Sequence, residues 1–339
     1  MFSIDFLVGF TIFMVALIAV ASMVPGLLAG LQSSGIDYDA VAYRTGVILV
    51  EDPGWPVDPP WETYDENHKD EIERIGLAVS RDAPNILLST KIEKFFNTSF
   101  FDPEDYRSKA IFGDIPYSYN ITLRSLDAEG TYNYATGDDT PPGYGYIRRV
   151  VKIKEPGVAV IDGSFKDQYT TDTEDTSTSR NFTVRFDFNR LINQSIDPAY
   201  RIDPRAEPVN ITITDFGEFL NGTASYATLE SVTFRRGSSS IPFPYDESDT
   251  DYYTLRIDNN PVLYSPEPGV GVSSSISLVL KPPATSLFNL GPTSILDVEF
   301  KFEDEPPATN ITGIHYYDYN PANVTRPDLK PAVLEVAIW

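Results

Sequence analysis

Apolar and polar positions divide the chain into stretches with different periods. No charged residue occurs from Phe6 to Ile36, and residues 6–31 read FLVGFTIFMVALIAVASMVPGLLAGL. That run exceeds the roughly 20 apolar residues needed to cross a bilayer. Beyond Gly35 the apolar positions keep a helical period, with Ile36, Ala40, Tyr43, Val47 and Val50 on one face and Asp37, Asp39, Arg44 and Glu51 elsewhere. Pro53 and Gly54 stop it. The pattern predicts a long N-terminal hydrophobic helix over 1–52, about 75 Å if unbroken from 1 to 51 at 1.5 Å per residue. Pro25 is placed to kink or open it.

Residues 53–61, PGWPVDPPW, form a proline-rich hinge. Short helical patterns follow at 70–80, 84–97 and 103–110. The period then changes to two: Tyr117, Tyr119, Ile121 and Leu123 alternate with Ser118, Asn120, Thr122 and Arg124, as in a half-buried strand. Residues 150–153 and 158–161 flank a Glu155-Pro156-Gly157 turn and read as a hairpin. These signals predict a small α+β head domain over 53–165. Residues 167–179, DQYTTDTEDTSTS, mark a boundary. Beyond it, strand signals recur at 182–188, 211–213, 231–234, 253–257, 276–280, 296–302 and 334–338, which predicts an antiparallel β-sandwich domain over 166–339. The expected fold class is thus α+β, mainly β. GYGY at Gly143 and GVGV at Gly269 open no helix and read as turns rather than phosphate cradles.

Composition narrows the chemistry. The net charge of −23 opposes binding to a polyanion, so no nucleic-acid partner is expected. No cysteine is present, which excludes disulfides, thiolate metal sites and a cysteine nucleophile. His68 and His315 are the two histidines, too few for a three-histidine metal site. No catalytic residue, metal or cofactor is assigned, and the chain is not expected to be an enzyme. The acid runs Asp246, Glu247, Asp249, Asp251 and Asp172, Glu174, Asp175 lack the glycine and terminal glutamate of an EF-hand loop and read as solvated. Trp55, Trp61 and the HYYDY run at His315 read as buried or interface aromatics.

Eight N-x-S/T sequons occur, at Asn97, Asn120, Asn181, Asn193, Asn210, Asn221, Asn310 and Asn323, where 16 Asn and 54 Ser plus Thr predict about 2.5 by chance. All follow the apolar stretch, as expected of an exported body carrying N-linked glycans. Asn120, Asn181 and Asn210 fall on the polar side of alternating strands, where a glycan can project outward.

The apolar stretch carries its own signs of assembly. Phe2, Phe6, Phe10 and Phe13 form one aromatic stripe along a helix. Ser22, Gly26 and Gly30 repeat a small residue every fourth position, which permits close helix–helix approach. Asp5 has two readings: it sits at lipid headgroups, helped by the helix dipole, or it pairs with the α-ammonium of a neighbouring chain. In the second reading, Met1, Phe2, Ser3, Ile4, Asp5 and Phe6 resemble the processed N-terminus of archaeal type IV pilin-like proteins, the class III signal peptide family. Asp5 stands at that family's acidic position, with aspartate in place of the usual glutamate. The resemblance covers about 50 residues.

It implies a subunit inserted in the cytoplasmic membrane before assembly and then polymerised with itself into an extracellular helical filament. Met1 and Asp5 would set the register, Phe2, Phe6, Phe10, Phe13, Gly26 and Gly30 would pack between copies, and the glycosylated outer domain would serve adhesion. The alternative is a single-pass, membrane-anchored surface glycoprotein or carbohydrate-binding module.

Overall fold

The computed structural model describes residues 4–31, 37–113, 115–127, 130–165, 170–171, 180–193, 195–197, 201–220, 225–242, 252–262, 269–287, 289–302, 314–319 and 329–339. Within 4–31, side chains are described for Phe6, residues 8–20 and Ser22.

The first correction concerns the N-terminus. In place of one continuous helix there are two, α1 (Ile4–Leu31) and α2 (Tyr38–Glu51). α2 has its own start: Asp37 leaves helical geometry and its carboxylate accepts from the Ala40 N–H at 3.0 Å, satisfying one of the free amides of the first turn. Among the described residues no helix is long and apolar enough to cross a membrane. The transmembrane helix, the membrane insertion that it implied and the pilin assignment built on it are therefore withdrawn.

α2 buries Ala42, Thr45, Gly46, Leu49 and Val50, whereas the expected face included Ala40 and Tyr43, which are exposed. Four strands begin the sheet beneath it: β1 (Ile86–Leu88), β2 (Tyr119–Ser125), β3 (Asn133–Gly137) and β4 (Gly145–Lys154). Close approach decides the face. A Cβ on Gly46 would lie 2.9 Å from Ile147 Cγ2 on β4, and one on Gly145 would lie 2.1 Å from the Tyr38 carbonyl carbon. Small residues, which count little in a hydrophobicity pattern, are what let the helix rest on the strand.

Residues 70–80 are not helical as expected. They contain one 3-10 turn, Lys69–Glu71, then irregular chain whose Ile72, Ile75 and Leu77 fill the core under α2. The 84–97 pattern shortens to α3 (Ser89–Phe95), and 103–110 holds a short helix, Pro103–Tyr106, started by an Asp102 capping box.

The remaining strands up to residue 319 build a two-layer unit: β5 (Val158–Ile161), β6 (Thr170–Thr171), β7 (Arg180–Asp187), β8 (Val209–Ile213), β9 (Ala227–Arg236), β10 (Ser239–Pro242), β11 (Tyr253–Ile257), β12 (Asn260–Val262), β13 (Val270–Val272), β14 (Ile276–Leu280), β15 (Ile295–Phe302) and β16 (Ile314–Tyr319). One sheet runs β10-β9-β15-β7-β16-β6 with β13 on β9, and the other runs β12-β11-β14-β8-β5. Alternation sends Phe182, Val184 and Phe186, Leu296, Val298, Phe300 and Phe302, and Val209, Ile211 and Ile213 into one core between them. The sheets are not wholly antiparallel as expected: β5 pairs with β8, and β16 with β7, in parallel.

The predicted hairpin at Glu155-Pro156-Gly157 is also absent. β4 and β5 lie in different sheets, so this turn carries the chain from one unit to the other. The chain then comes back. β17 (Leu329–Ile338), read from the sequence as a strand of the second domain, inserts between β2 and β4 and completes the first sheet in the order β1-β4-β17-β2-β3. Its near-continuous apolar run is that of a central strand covered on both faces. Where β4 leaves the first sheet, Lys154 is fully buried, donating to Glu207 Oε1 at 2.8 Å and to the Arg201 carbonyl at 2.7 Å, and so ties the two units together.

Candidate functional site

α1 is the feature that the rest of the fold does not absorb. Its described apolar side chains point into open space: Phe6, Phe10 and Phe13 are 59%, 54% and 60% exposed, and Ile12, Val15 and Ile18 on other sides are as bare. An amphipathic surface helix turns polar residues outward; among the described side chains of this one only Thr11 and Ser22 are polar. Its one described polar side chain besides Thr11, Ser22, donates its hydroxyl to the Ala19 carbonyl at 2.8 Å, which removes it from the hydrogen-bonding surface. Phe6 and Phe10 stack with ring centroids 6.4 Å apart, so part of the predicted aromatic stripe exists. Met1 and Phe2 lie outside the described residues, as does the Asp5 side chain, while Gly26 and Gly30 are helical.

The structure sorts the sequons by environment. Asn97 and Asn193 are exposed and sit in turns, each side-chain oxygen accepting from the backbone N–H two residues on, Ser99 and Ser195 respectively. An Asx turn of this kind engages the oxygen and leaves the amide nitrogen out of that hydrogen bond. Asn120, Asn181 and Asn210 lie on strands and are half-buried. Asn120 donates its amide to the Asp138 carbonyl at 2.9 Å and Asn181 donates to Glu299 at 2.8 Å, so both nitrogens already serve the sheet. Asn221, Asn310 and Asn323 lie outside the described residues.

The aromatics set aside in the sequence divide likewise. Trp61 is fully buried, its indole N–H shared between the Pro53 and Gly76 carbonyls at 3.0 and 3.1 Å. His315, Tyr317 and Tyr319 point into the core, while Tyr316 lies under the Arg185 guanidinium at 5.1 Å. Trp55 is 48% exposed. The acid runs at 172–175 and 246–251 fall outside the described residues.

Sequence reasoning missed the cleft between the two units. It has a volume of about 590 Å³ and is walled by Glu62 and Tyr64 from the hinge region, Thr90, Glu93 and Lys94 from α3, and Asn210 and Val279 from β8 and β14. These segments are far apart in the chain, so no motif spacing relates them, and Asn210 was noticed only as a sequon. In the cleft, Asn210 of β8 and Val279 of β14, on the outer face of their sheet, lie opposite α3 of the other unit.

No family model matches the chain, and no solved structure matches it. A protein of Archaeoglobus fulgidus, described as uncharacterized, is 41% identical over 77 residues, 23% of this chain. The match spans 40% of that relative's length.

Proposed function

We propose that this chain is the structural subunit of a glycosylated cell-surface filament whose copies join through α1. The supporting observation is the exposure of Phe6, Phe10, Ile12, Phe13, Val15 and Ile18 around that helix, in a chain that otherwise builds two closed cores. Each large apolar side chain moved from water into a helix–helix contact contributes about 1.5–3 kcal/mol, so bundling several copies supplies the burial that the single chain lacks. The two β-rich units then stand outside the bundle, with Asn97 and Asn193 on their surface as the sequons best placed for glycans. Adhesion is the role that such an outer surface would serve.

The test is electron microscopy and sedimentation of the full chain beside the double variant Phe10→Glu/Phe13→Glu. Filaments or large assemblies are expected for the parent and a monomer for the variant, because charges introduced on bundled apolar faces are costly to bury. A monomeric parent, or a variant that still assembles, overturns the reading.

A further inference from the structure

We propose that the face of the first sheet turned away from α2 is a docking surface for a second copy of this chain, which presents its acidic segment 65–73 to it. The proposal rests on the filament reading and adds a contact between the outer units to the one made by α1. Residues of β4 alternate sides: Ile147, Val151 and Ile153 join the core beneath α2, while Tyr146, Arg148, Val150 and Lys152 point the other way. Register carries that second face across the sheet. Arg148 pairs with Glu335 of β17 and Glu335 with Thr122 of β2, and the next row is Val150, Val333 and Arg124.

Two properties mark this face. Val150 is 62% and Tyr146 45% exposed, so apolar surface stands open beside the charges. The face is also cationic in a chain of net charge −23: Arg124, Arg148 and Lys152 are all exposed, and Glu335 is the one carboxylate on these positions of β2, β4 and β17. Glu335 is already engaged, accepting from the Tyr146 hydroxyl at 2.7 Å, from the Thr122 hydroxyl at 3.2 Å and from Arg124. Asn120 shares the face, and its amide donates to the Asp138 carbonyl at 2.9 Å, so the sequon there is engaged in the sheet.

The complement lies on the opposite side of the same unit. Residues 61–75 pack on the α2 side, where Trp61, Ile72 and Ile75 fill the core, and Glu66, Asp70, Glu71 and Glu73 are exposed. A basic and an acidic surface on opposite sides of one unit meet between copies, head to tail. Such a contact repeats from copy to copy and builds an open filament unless its rotation closes a ring. Two basic faces set against each other would instead repel. Copies already held through α1 supply the acidic segment at high effective concentration.

The test is sedimentation velocity and electron microscopy of the full chain, comparing the parent with Arg148→Glu/Lys152→Glu, with Asp70→Lys/Glu71→Lys and with the two pairs combined. Each pair alone should raise the concentration needed for assembly by at least about tenfold, because like charges then face each other. The combined variant reverses both surfaces and should regain assembly, as should an equimolar mixture of the two pairs. Added salt should weaken assembly of the parent in the same direction. The Asp70→Lys/Glu71→Lys pair lies on an exposed turn and keeps the test open if the sheet variant folds poorly. A monomeric parent overturns this proposal together with the filament reading. A parent that assembles and is unaffected by either pair, or a loss that the combined variant does not rescue, overturns this proposal alone. So does a glycan attached to Asn120 in the native protein, or binding of alginate that Arg148→Glu/Lys152→Glu abolishes while assembly is unchanged.

Discussion

Two helices arise from neighbouring parts of the same N-terminal stretch, and they have opposite relations to the fold. α2 rests on the first sheet through Ala42, Thr45, Gly46 and Leu49, with Gly46 against Ile147 and Arg149 of β4 paired with Glu51 at the end of the helix. α1 is far more apolar, yet its described side chains are exposed all round. Hydrophobicity alone therefore does not bring a helix into a core. α2 is held by a matched surface that small residues make possible, whereas the described side chains of α1 present no polar side to face water. One helix is packed into the domain, and the described side chains of the other stay exposed.

This contrast is open to graded tests by denaturant unfolding of the full chain. The largest effect is expected for Leu49→Ala, which empties a fully buried site and should cost about 3 kcal/mol. Gly46→Val comes next: the added side chain meets Ile147 at a position already too close for a Cβ, and overpacking should cost about 2 kcal/mol. Asp37→Ala removes the carboxylate that receives the Ala40 N–H and should cost about 1 kcal/mol. Phe10→Ala combined with Phe13→Ala should change the unfolding of the two cores by less than about 0.5 kcal/mol, as for surface positions, while reducing assembly by sedimentation. If the α1 pair destabilised the cores as much as Leu49→Ala does, the helices would not differ in the way described.

The α2 face also shows where sequence reading stops. The apolar period selects Tyr43 and Val47, the bulkier residues, but the contact with β4 selects Thr45 and Gly46 on the adjacent face. Backbone proximity, not side-chain volume, set the orientation, and a hydrophobicity pattern gives glycine no weight. Strand alternation was legible in β2, β8, β14 and β15, whose buried positions follow the period of two. Pairing was not. β4 and β5, adjacent in the chain and joined by a turn sequence, separate into different sheets, and β17 crosses back to the first. The AVLEVAI run in β17 did hold a usable sign, since apolar residues on both faces mark a central strand. The candidate cleft left no such sign, because its walls meet only after both units have folded.

The sequence by itself determined which segments are apolar, where the period is helical and where it is two, the absence of cysteine chemistry and the excess of sequons. Those properties depend on residues within a few positions of one another, where backbone geometry ties side-chain direction to spacing. Tertiary structure alone decided that the N-terminal stretch is two helices and that Gly46 faces a strand. It also decided that Asn97 and Asn193 are open while Asn120 and Asn181 serve the sheet, and that Glu62, Thr90 and Asn210 share one cleft. Ladder hydrogen bonds are the same for every sequence, so the choice of partner falls to packing between residues far apart in the chain.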